Sequence, residues 1–305
     1  MPAHLEAKNL VRRYGKFTAL DQLSFEVPAG SISAFIGANG AGKTTTFSII
    51  AEYIKANSGE ILIDGEAHQK YRSRGEVIGL LPQGVQFYED RKLQRQLILF
   101  ARLSGMSVKE AGIETDRVLD LMSLSEKRNE KVSALSQGMK IRLAIAQTLI
   151  GKPPILILDE PTAGLDPKMV QEFRDLIERL RGSTTILISS HVLSELENLC
   201  DYVIIIDKGK LVKQGPINEL TQNQAQICFE VNGLNEHYDT LKNHFNNYDF
   251  DFSDSKLILK SNESIIDIAR VNREMFSWCI SKNIDILSIS SQQNLEHTYF
   301  KLLKE

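Results

Sequence analysis

Short apolar runs recur through the first two thirds of the chain, separated by polar or glycine-containing segments. Nearly continuous runs of isoleucine, leucine and valine are typical of strands that are buried on both faces of a parallel sheet. The runs lie at residues 31–36, 77–81, 155–158 and 184–189. They predict a parallel sheet with its functional residues at the carboxyl ends of the strands.

Three other segments have the pattern of strands in an antiparallel edge. They are Leu5–Leu10, Gln22–Val27 and Glu60–Ile63, the last of which is followed by the turn Asp64-Gly65. A helix is expected at Lys43–Ala51, directly after the run at 31–36. Residues 1–220 are therefore predicted to form one α/β domain with a mixed sheet.

Between Gln83 and Ile155 the hydrophobic period changes to that of helices. The apolar residues that fall three or four positions apart are Leu93, Leu97, Phe100 and Leu103, followed by Val118, Leu121 and Met122. This segment predicts a helical subdomain, at about residues 84–150, inserted between strands of the core.

The composition shifts after Gly215-Pro216, and the polar run Thr221–Gln224 has the character of a linker. The elements predicted beyond it are a strand at Gln226–Val231, a helix at Glu236–Phe245, a hairpin of Tyr248–Phe252 and Lys256–Lys260, a helix at Ile265–Ser281, a strand at Ile284–Ser290 and a helix from Asn294. This order predicts a small ferredoxin-like α+β accessory domain at residues 221–305, without a visible catalytic cluster.

Composition narrows the class of protein. A chain of 305 residues, with 42% hydrophobic and 25% charged residues, is ordinary for a globular protein of two domains. Its net charge of −3 provides no basic surface for nucleic acid. Neither a bilayer-spanning apolar stretch nor a signal peptide is evident, so we expect a cytoplasmic protein. Cys200, Cys228 and Cys279 are expected as core residues, not as disulfide or zinc ligands.

The segment Gly37–Thr44 reads Gly-Ala-Asn-Gly-Ala-Gly-Lys-Thr, between a predicted strand and a predicted helix. Its glycines allow backbone N–H groups and a helix N-terminus to approach phosphate oxygens. Lys43 adds a cation near the β- and γ-phosphates, and the Thr44 hydroxyl suits Mg²⁺. The segment therefore predicts a phosphate-binding loop, and an ordinary glycine-rich turn is the disfavoured alternative.

Two adjacent carboxylates, Asp159 and Glu160, follow the buried strand at 155–158. In a parallel sheet this strand end faces the phosphate loop. Asp159 is suited there to hold the Mg²⁺ shell, and Glu160, pointing the other way, to orient and deprotonate an attacking water. A solvent-exposed acidic turn is the weaker alternative.

The chain resembles the ATP-binding subunits of ABC transporters. The motifs that carry the resemblance, in family order and spacing, are the phosphate loop at 37–44, Leu-Ser-Gln-Gly-Met at 135–139, the pair Asp159-Glu160, Pro-Thr-Ala-Gly-Leu-Asp at 161–166, and His191. The match covers roughly the first 220 residues, and linked motifs are far more specific than any one alone. It implies a P-loop ATPase of the ABC type that uses ATP and Mg²⁺.

The resemblance also implies roles for residues that no local pattern identifies. Tyr14 is similar to the aromatic residue that stacks on adenine, and Gln83 to the glutamine that senses Mg²⁺ and the γ-phosphate. His191 is similar to the histidine that contacts the γ-phosphate. Asp166 is similar to an aspartate that joins the halves of a dimer, although Leu-Asp-Pro is also an ordinary helix N-cap signal.

Together these arguments define three expected groups of site residues. The catalytic residues are Lys43, Glu160 and His191. The ATP-binding residues are Tyr14, Gly37, Ala38, Asn39, Gly40, Ala41, Gly42, Lys43, Thr44, Thr45, Gln83, Ser136 and Gly138. The Mg²⁺ ligands are Thr44, Gln83 and Asp159.

The segment 135–139 departs from the common family form Leu-Ser-Gly-Gly-Gln, since Gln137 and Met139 replace a glycine and the glutamine. Ser136 and Gly138 are retained. In the family these two positions present a hydroxyl and backbone N–H groups to the γ-phosphate of the opposite subunit. One copy of each motif therefore implies a dimer with two composite sites at a two-fold interface.

The function that the resemblance implies is the ATPase subunit of an ABC-2 class transporter, a class made up largely of exporters. The expected partners are a second ATPase subunit, identical or homologous, and integral-membrane permease subunits that hold the chain at the cytoplasmic face of the membrane.

The alternative is a soluble ABC ATPase of translation or DNA repair. That alternative is disfavoured because paired ATPase domains, a long coiled coil and a basic surface are all absent from the sequence. A catalytically silent partner is disfavoured because Lys43, Asp159, Glu160 and His191 are intact.

Overall fold

The computed structural model describes residues 1–73, 78–190, 196, 199–222, 226–234, 237–246, 248–253, 255–261 and 268–292. The chain divides into two compact units, Met1–Gly215 and Pro216–Glu305. No helix among the described residues is long and apolar enough to cross a membrane.

The first unit contains two sheets with helices around them. Its strands are β1 (Leu5–Tyr14), β2 (Phe17–Val27), β3 (Ile32–Ile36), β4 (Ser58–Ile63), β5 (Glu66–Ala67), β6 (Gly79–Leu81), β7 (Ile155–Asp159), β8 (Thr185–Ser189), β9 (Tyr202–Asp207) and β10 (Lys210–Pro216). Its helices are α1 (Lys43–Ile50), α2 (His68–Ser73), α3 (Leu93–Leu103), α4 (Val108–Leu121), α5 (Gln137–Thr148) and α6 (Pro167–Leu180).

The larger sheet has the strand order β10-β9-β3-β8-β7-β6. Strand β3 is parallel to both β8 and β9, and β7 is parallel to both β6 and β8. Every residue of β3, β7 and β8 is buried, which explains why these segments appear in the sequence as continuous apolar runs. Their carboxyl ends lie along one edge of the sheet, and the segments that follow β3 and β7 meet there.

The smaller sheet has the order β2-β1-β4-β5 and is antiparallel. Strands β1 and β2 are longer than predicted, because their hairpin continues through the polar residues Arg12 and Arg13 to a turn at Gly15, where φ is +58°. Such strands keep one face in water, so their outer halves lack an apolar signal.

A row of three phenylalanines connects this sheet to the parallel one. The ring centroids of Phe25 and Phe35 are 5.2 Å apart, and those of Phe35 and Phe47 are also 5.2 Å apart. The rings belong to β2, β3 and α1, so the strand and the helix on either side of the phosphate loop are fixed against the antiparallel sheet.

Strand β9, absent from the sequence-based prediction, is buried beside β3. Its apolar run Val203–Ile206 is bounded by Lys208-Gly209 and has the same pattern as the strands that were predicted. Helix α6 was also not predicted as an element, although its N-cap signal was noted: the Asp166 carboxylate accepts the Met169 N–H at 2.9 Å.

The helical subdomain consists of α3, α4 and α5, as the hydrophobic period predicted. Glu114 on α4 accepts bonds from Arg117 at 2.6 and 2.9 Å and from the Gly151 N–H at 2.9 Å. Arg117 also donates to the Leu149 carbonyl at 2.7 Å. This network attaches α4 to the end of α5.

The second unit has the element order β-α-β-β-α-β after a short helix, as in ferredoxin-like folds. Its elements are α7 (Ile217–Gln222), β11 (Gln226–Asn232), α8 (Tyr238–His244), β12 (Tyr248–Ser253), β13 (Lys256–Ser261), α9 (Ile268–Ser281) and β14 (Asp285–Gln292). The strand order is β12-β13-β11-β14, with antiparallel neighbours. Its core includes Phe229, Leu257 and Trp278. The helix predicted from Asn294 lies outside the described residues.

The three cysteines are buried and free, as predicted. Burial raises the pKa of the Cys200 thiol far above its ordinary value and raises the pKa of Cys279 to about 11.

Candidate nucleotide-binding site

The phosphate loop connects β3 to α1, in the strand–loop–helix setting that the motif requires. The Lys43 side chain is only 6% exposed, and its ammonium donates to the carbonyls of Gly37 at 2.8 Å and Ala38 at 3.4 Å. The loop therefore holds its own cation in place with its own backbone.

Two glycines of this loop are required by packing. Gly42 has φ +110°, and a Cβ there would lie 2.7 Å from Leu20 Cδ2 on β2. A Cβ on Gly37 would lie 2.7 Å from the Ile206 carbonyl oxygen on β9. Side chains at either position would push the loop off the strands that support it.

The remaining loop residues complete the cradle. Ala38, Asn39 and Gly40 are exposed at its tip, Ala41 is buried, Thr44 is exposed and Thr45 is half-buried. The Ala41 N–H donates to the Ala38 carbonyl at 3.0 Å, and the Ala41 carbonyl accepts the Gly209 N–H at 2.9 Å. The turn after β9 thus holds the buried side of the phosphate loop, while the tip of the loop faces solvent.

The Asp159 carboxylate lies at the end of β7 and is 4% exposed. Thr44 Oγ1 donates to its Oδ2 at 2.9 Å, and Ser189 Oγ donates to its Oδ1 at 2.7 Å. Hydroxyl and carboxylate oxygens are the ligands that Mg²⁺ prefers, usually together with phosphate oxygens. The adjacent Thr44 and Asp159 oxygens fit that preference.

The next residue, Glu160, leaves the strand with φ +48°, in the left-handed region. Its N–H donates to Ser189 Oγ at 2.8 Å. One carboxylate oxygen lies 3.8 Å from Lys43 Nζ, and the other accepts a bond from Gln83 Nε2 at 3.2 Å. Asp159 thus contacts Thr44, whereas Glu160 contacts Lys43 and Gln83.

Gln83 borders an open groove of about 670 Å³ that reaches the two carboxylates. Lining the groove are Leu81, Pro82, Gln83, Gly84, Val85, Gln86, Phe87 and Glu89, with Gln137, Lys140, Ile141 and Ala144 of the α5 side, and Asp159, Glu160, Pro161, Ala163 and Leu165. Gln83 is thus in contact both with this groove and with Glu160.

Tyr14 and Ser136 are not joined to these residues by the described contacts, although Gln137, next to Ser136, lines the same groove. Tyr14, at the end of β1, is 45% exposed, and the Arg12 guanidinium lies 4.5 Å from the centre of its ring. Ser136 is the exposed N-cap of α5, where its hydroxyl accepts the Met139 N–H at 3.3 Å. Gly138 lies in the first turn of the same helix. His191 lies outside the described residues.

The structure thus brings Lys43, Thr44, Gln83, Asp159 and Glu160 together by direct contacts. It adds Ser189, which sequence reasoning did not identify. The only available signal was a serine at the carboxyl end of a buried strand, next to the segment that carries His191.

Comparisons with known proteins identify the family. Residues 20–163 match the family model described as ABC transporter. The bacitracin transport ATP-binding protein BcrA of Bacillus licheniformis is 34% identical to this chain, over 99% of this chain and 98% of that protein. The linearmycin resistance ATP-binding protein LnrL of Bacillus subtilis (strain 168) is 30% identical, over 98% of this chain and 97% of that protein.

Among solved structures, cbiO1 from Clostridium perfringens is described as part of the ABC transporter complex cbiONQ. It superposes with a TM-score of 0.63 at 29% identity, covering 71% of this chain and 89% of that one. The predicted fold class, a P-loop core of the ABC ATPase type, is confirmed. The chain belongs to the ATP-binding subunits of ABC transporters, which bind and hydrolyse ATP to power transport.

Proposed function

We propose that two copies of this chain, or this chain and a homologous subunit, bind two Mg²⁺-ATP molecules between them and drive an ABC-2 class exporter. The observation that carries the proposal is the connected set of contacts from Lys43 through Glu160 to Gln83, with Thr44 on Asp159 beside it. A cation, a carboxylate pair and a hydroxyl lie together at the strand ends, where a triphosphate meets the loop.

Each residue then has a defined task. Lys43 and the loop N–H groups bind the β- and γ-phosphates, while Thr44, Asp159 and Gln83 are the residues suited to hold Mg²⁺, which would neutralise phosphate charge. Glu160 accepts the proton of the attacking water as the water oxygen bonds to the γ-phosphorus and the bond to the ADP oxygen breaks. His191 completes the set at the γ-phosphate, and Tyr14 stacks on adenine.

The dimer is supported by the segment of Ser136. A Cβ on Gly138 would meet nothing closer than Met169 Sδ at 3.6 Å, an ordinary contact, so the described packing of this chain does not require glycine there. Glycine in a helix costs up to about 1 kcal/mol relative to alanine. A ligand or backbone that approaches from outside the chain, such as ATP held by a second copy, accounts for the absence of a side chain at Gly138 in the first turn of α5.

The groove beside Gln83 supports coupling to membrane subunits. A permease segment seated there would touch Gln83, whose amide contacts Glu160. Movement of the permease would therefore be transmitted to Glu160, the residue proposed to activate water. This attachment would place the chain at the cytoplasmic face of the membrane. We further propose that the accessory domain at residues 221–305 contributes to dimer stability or to assembly with the permease.

The proposed cargo is an antibiotic. Two of the relatives that align over nearly the whole chain are described as a bacitracin transport protein and a linearmycin resistance protein. Separate membrane subunits select the cargo. Similarity to these relatives therefore indicates the class of the transported compound and not a particular compound.

Two experiments test the proposal: one identifies the proteins that copurify with the chain, and the other measures antibiotic resistance. A tagged chain is purified from detergent-solubilised membranes with Mg²⁺-ATP, and proteins that copurify are identified by mass spectrometry. A strain without the gene is compared, for bacitracin sensitivity and for sensitivity to other antibiotics, with strains complemented by the wild type or by Glu160→Gln. We expect membrane permeases to copurify, and at least one resistance to return with the wild type alone. Copurification of ribosomal or DNA-repair proteins without a permease would overturn the proposal.

A further inference from the structure

Ser189 is the last residue of β8 and is completely buried. It pairs across the sheet with Asp159 on one side and Phe35 on the other. Its position places a small polar side chain directly beside the carboxyl end of β7, where the two acidic residues begin.

The Ser189 hydroxyl makes two bonds of opposite direction. It donates to Asp159 Oδ1 at 2.7 Å and accepts the Glu160 N–H at 2.8 Å. A hydroxyl can donate one bond and accept others, so this single oxygen is matched to both contacts. One side chain therefore connects the carboxylate of Asp159 to the backbone of Glu160.

The bond from the Glu160 N–H to Ser189 helps to hold a strained backbone conformation. Glu160 has φ +48°, a left-handed conformation that is unfavourable for a residue with a Cβ. Such a conformation persists only where surrounding contacts determine it. Ser189 supplies one of those contacts, and the conformation directs the Glu160 side chain toward Lys43 and Gln83.

The bond to Asp159 acts on the other carboxylate. With Oδ1 held by Ser189, Oδ2 is the oxygen that faces Thr44. The hydroxyl thus sets the rotation of the Asp159 carboxylate, which decides the oxygen presented toward the proposed Mg²⁺ position.

We propose that Ser189 is a positioning residue for ATP hydrolysis, which fixes the Asp159 carboxylate and the Glu160 backbone relative to each other. The inference rests on the proposed roles of Asp159 and Glu160. It does not make Ser189 a catalytic residue, because Ser189 acts through its two neighbours.

The chain provides a matched control. Ser33 is also completely buried, on the adjacent strand β3, where its hydroxyl pairs with that of Ser31 at 2.8 Å. Ser33→Ala removes a buried hydroxyl of the same size without touching either carboxylate. Loss of stability should therefore be similar for Ser33→Ala and Ser189→Ala, and a difference at the site should appear only for the second.

The experiment compares wild type, Ser189→Ala, Ser189→Thr and Ser33→Ala. We expect kcat of Ser189→Ala to fall about tenfold or more with KM for ATP nearly unchanged, because displacement of a catalytic group is costly in the transition state. The Mg²⁺ concentration that gives half-maximal activity should rise. Ser189→Thr, which keeps the hydroxyl, should recover most of kcat.

A second measurement does not depend on turnover. The affinity for a fluorescent ATP analogue is measured with and without Mg²⁺, and the Mg²⁺-dependent gain in affinity should be smaller for Ser189→Ala than for Ser33→Ala. Equal kcat, Mg²⁺ requirement and binding gain in the two alanine variants would overturn the proposal. A folded Ser189→Thr variant as impaired as Ser189→Ala would also overturn it. Full hydrolysis by Glu160→Gln would instead contradict the roles proposed for the carboxylates.

Discussion

The Lys43 ammonium and the Glu160 carboxylate form an ion pair across the site, with Nζ and Oε1 3.8 Å apart. The proposed phosphate-binding cation thus pairs with the proposed general base, and side-chain exposures of 6% and 15% keep solvent from screening the pair strongly. A triphosphate that binds Lys43 competes for this cation. In the proposed mechanism, substrate binding would therefore release Glu160 from its contact with Lys43.

Replacement of Lys43 by alanine removes both the contact with phosphate and the ion pair with Glu160. We expect Lys43→Ala to lose about 1.5–3 kcal/mol of ATP binding, roughly tenfold to a hundredfold in affinity, because a charge-assisted contact to phosphate disappears. Hydrolysis should become undetectable. Titration with a fluorescent ATP analogue and a phosphate-release assay measure the two effects. Lys109→Ala, at an exposed position on α4, is the control for loss of a positive charge.

Glu160→Gln keeps the size of the side chain and its capacity to contact Gln83, but an amide accepts no proton. We expect ATP binding to remain and hydrolysis to fall by about 10²–10⁴, the usual contribution of a general base. With hydrolysis blocked, an ATP-bound dimer should accumulate on gel filtration, and ADP should not produce it. A monomer at saturating Mg²⁺-ATP would count against the composite site.

The composite site is tested by complementation between two defective chains. Mixed dimers of Lys43→Ala and Ser136→Arg carry one intact site, formed by the loop of the second chain and the α5 N-terminus of the first. We expect each variant alone to be inactive and the mixture to recover part of the activity, with a maximum near equal proportions. Recovery can be partial because a dimer with one defective site loses coupling between sites. Substantial hydrolysis by Ser136→Arg alone would show that the site lies within one chain.

The network around Glu114 predicts a pH-dependent stability. Burial alone raises the pKa of this carboxyl, but the bonds from Arg117 and the Gly151 N–H outweigh that effect and leave the pKa below its ordinary value of 4.5. A lowered pKa means that the stabilisation is fully present above that value and is lost as pH falls through the folded-state pKa. We expect Glu114→Gln to cost about 2 kcal/mol at pH 7. Thermal unfolding at descending pH should show the difference from wild type shrinking below about pH 4.5, whereas Glu126→Gln, at an exposed position, should show little difference throughout.

The accessory domain gives a further test. Truncation after Thr221 should leave a folded chain that binds ATP, since the second unit has its own core and the described site residues belong to the first. We expect weaker dimerisation or weaker copurification of the permease. Loss of ATP binding in a well-folded truncated chain would place the accessory domain in the nucleotide site.

Sequence patterns predicted the parts of this protein in which one local rule dominates. Buried parallel strands must be apolar on both faces, and a phosphate loop must have its glycines and lysine at fixed spacing, so both are visible without a structure. The outer half of the β1–β2 hairpin was missed because Arg12 and Arg13, of which one is half-buried and the other exposed, provide no apolar run. Strand β9 carried a readable apolar run, and its omission was an error of interpretation and not a lack of signal.

Contacts between distant segments could not be predicted in this way. Ser189 is separated from Asp159 by 30 positions, and its importance depends on β8 lying beside β7 in one particular register. The same limit applies to Gln83, whose contact with Glu160 spans 77 positions and was expected only through family resemblance. Register and side-chain direction are properties of the assembled sheet.

The buried thiols make the chain chemically quiet toward oxidants and alkylating reagents. Attack requires an accessible thiolate, and burial denies access to all three native cysteines, while the raised pKa values of Cys200 and Cys279 also leave almost no thiolate at neutral pH. A cysteine introduced at an exposed position away from the proposed site, such as Val108 on α4, would then be the reactive thiol of the native protein. Distances between the protomers of the proposed dimer could therefore be followed during the ATP cycle with single probes, without first removing the natural cysteines.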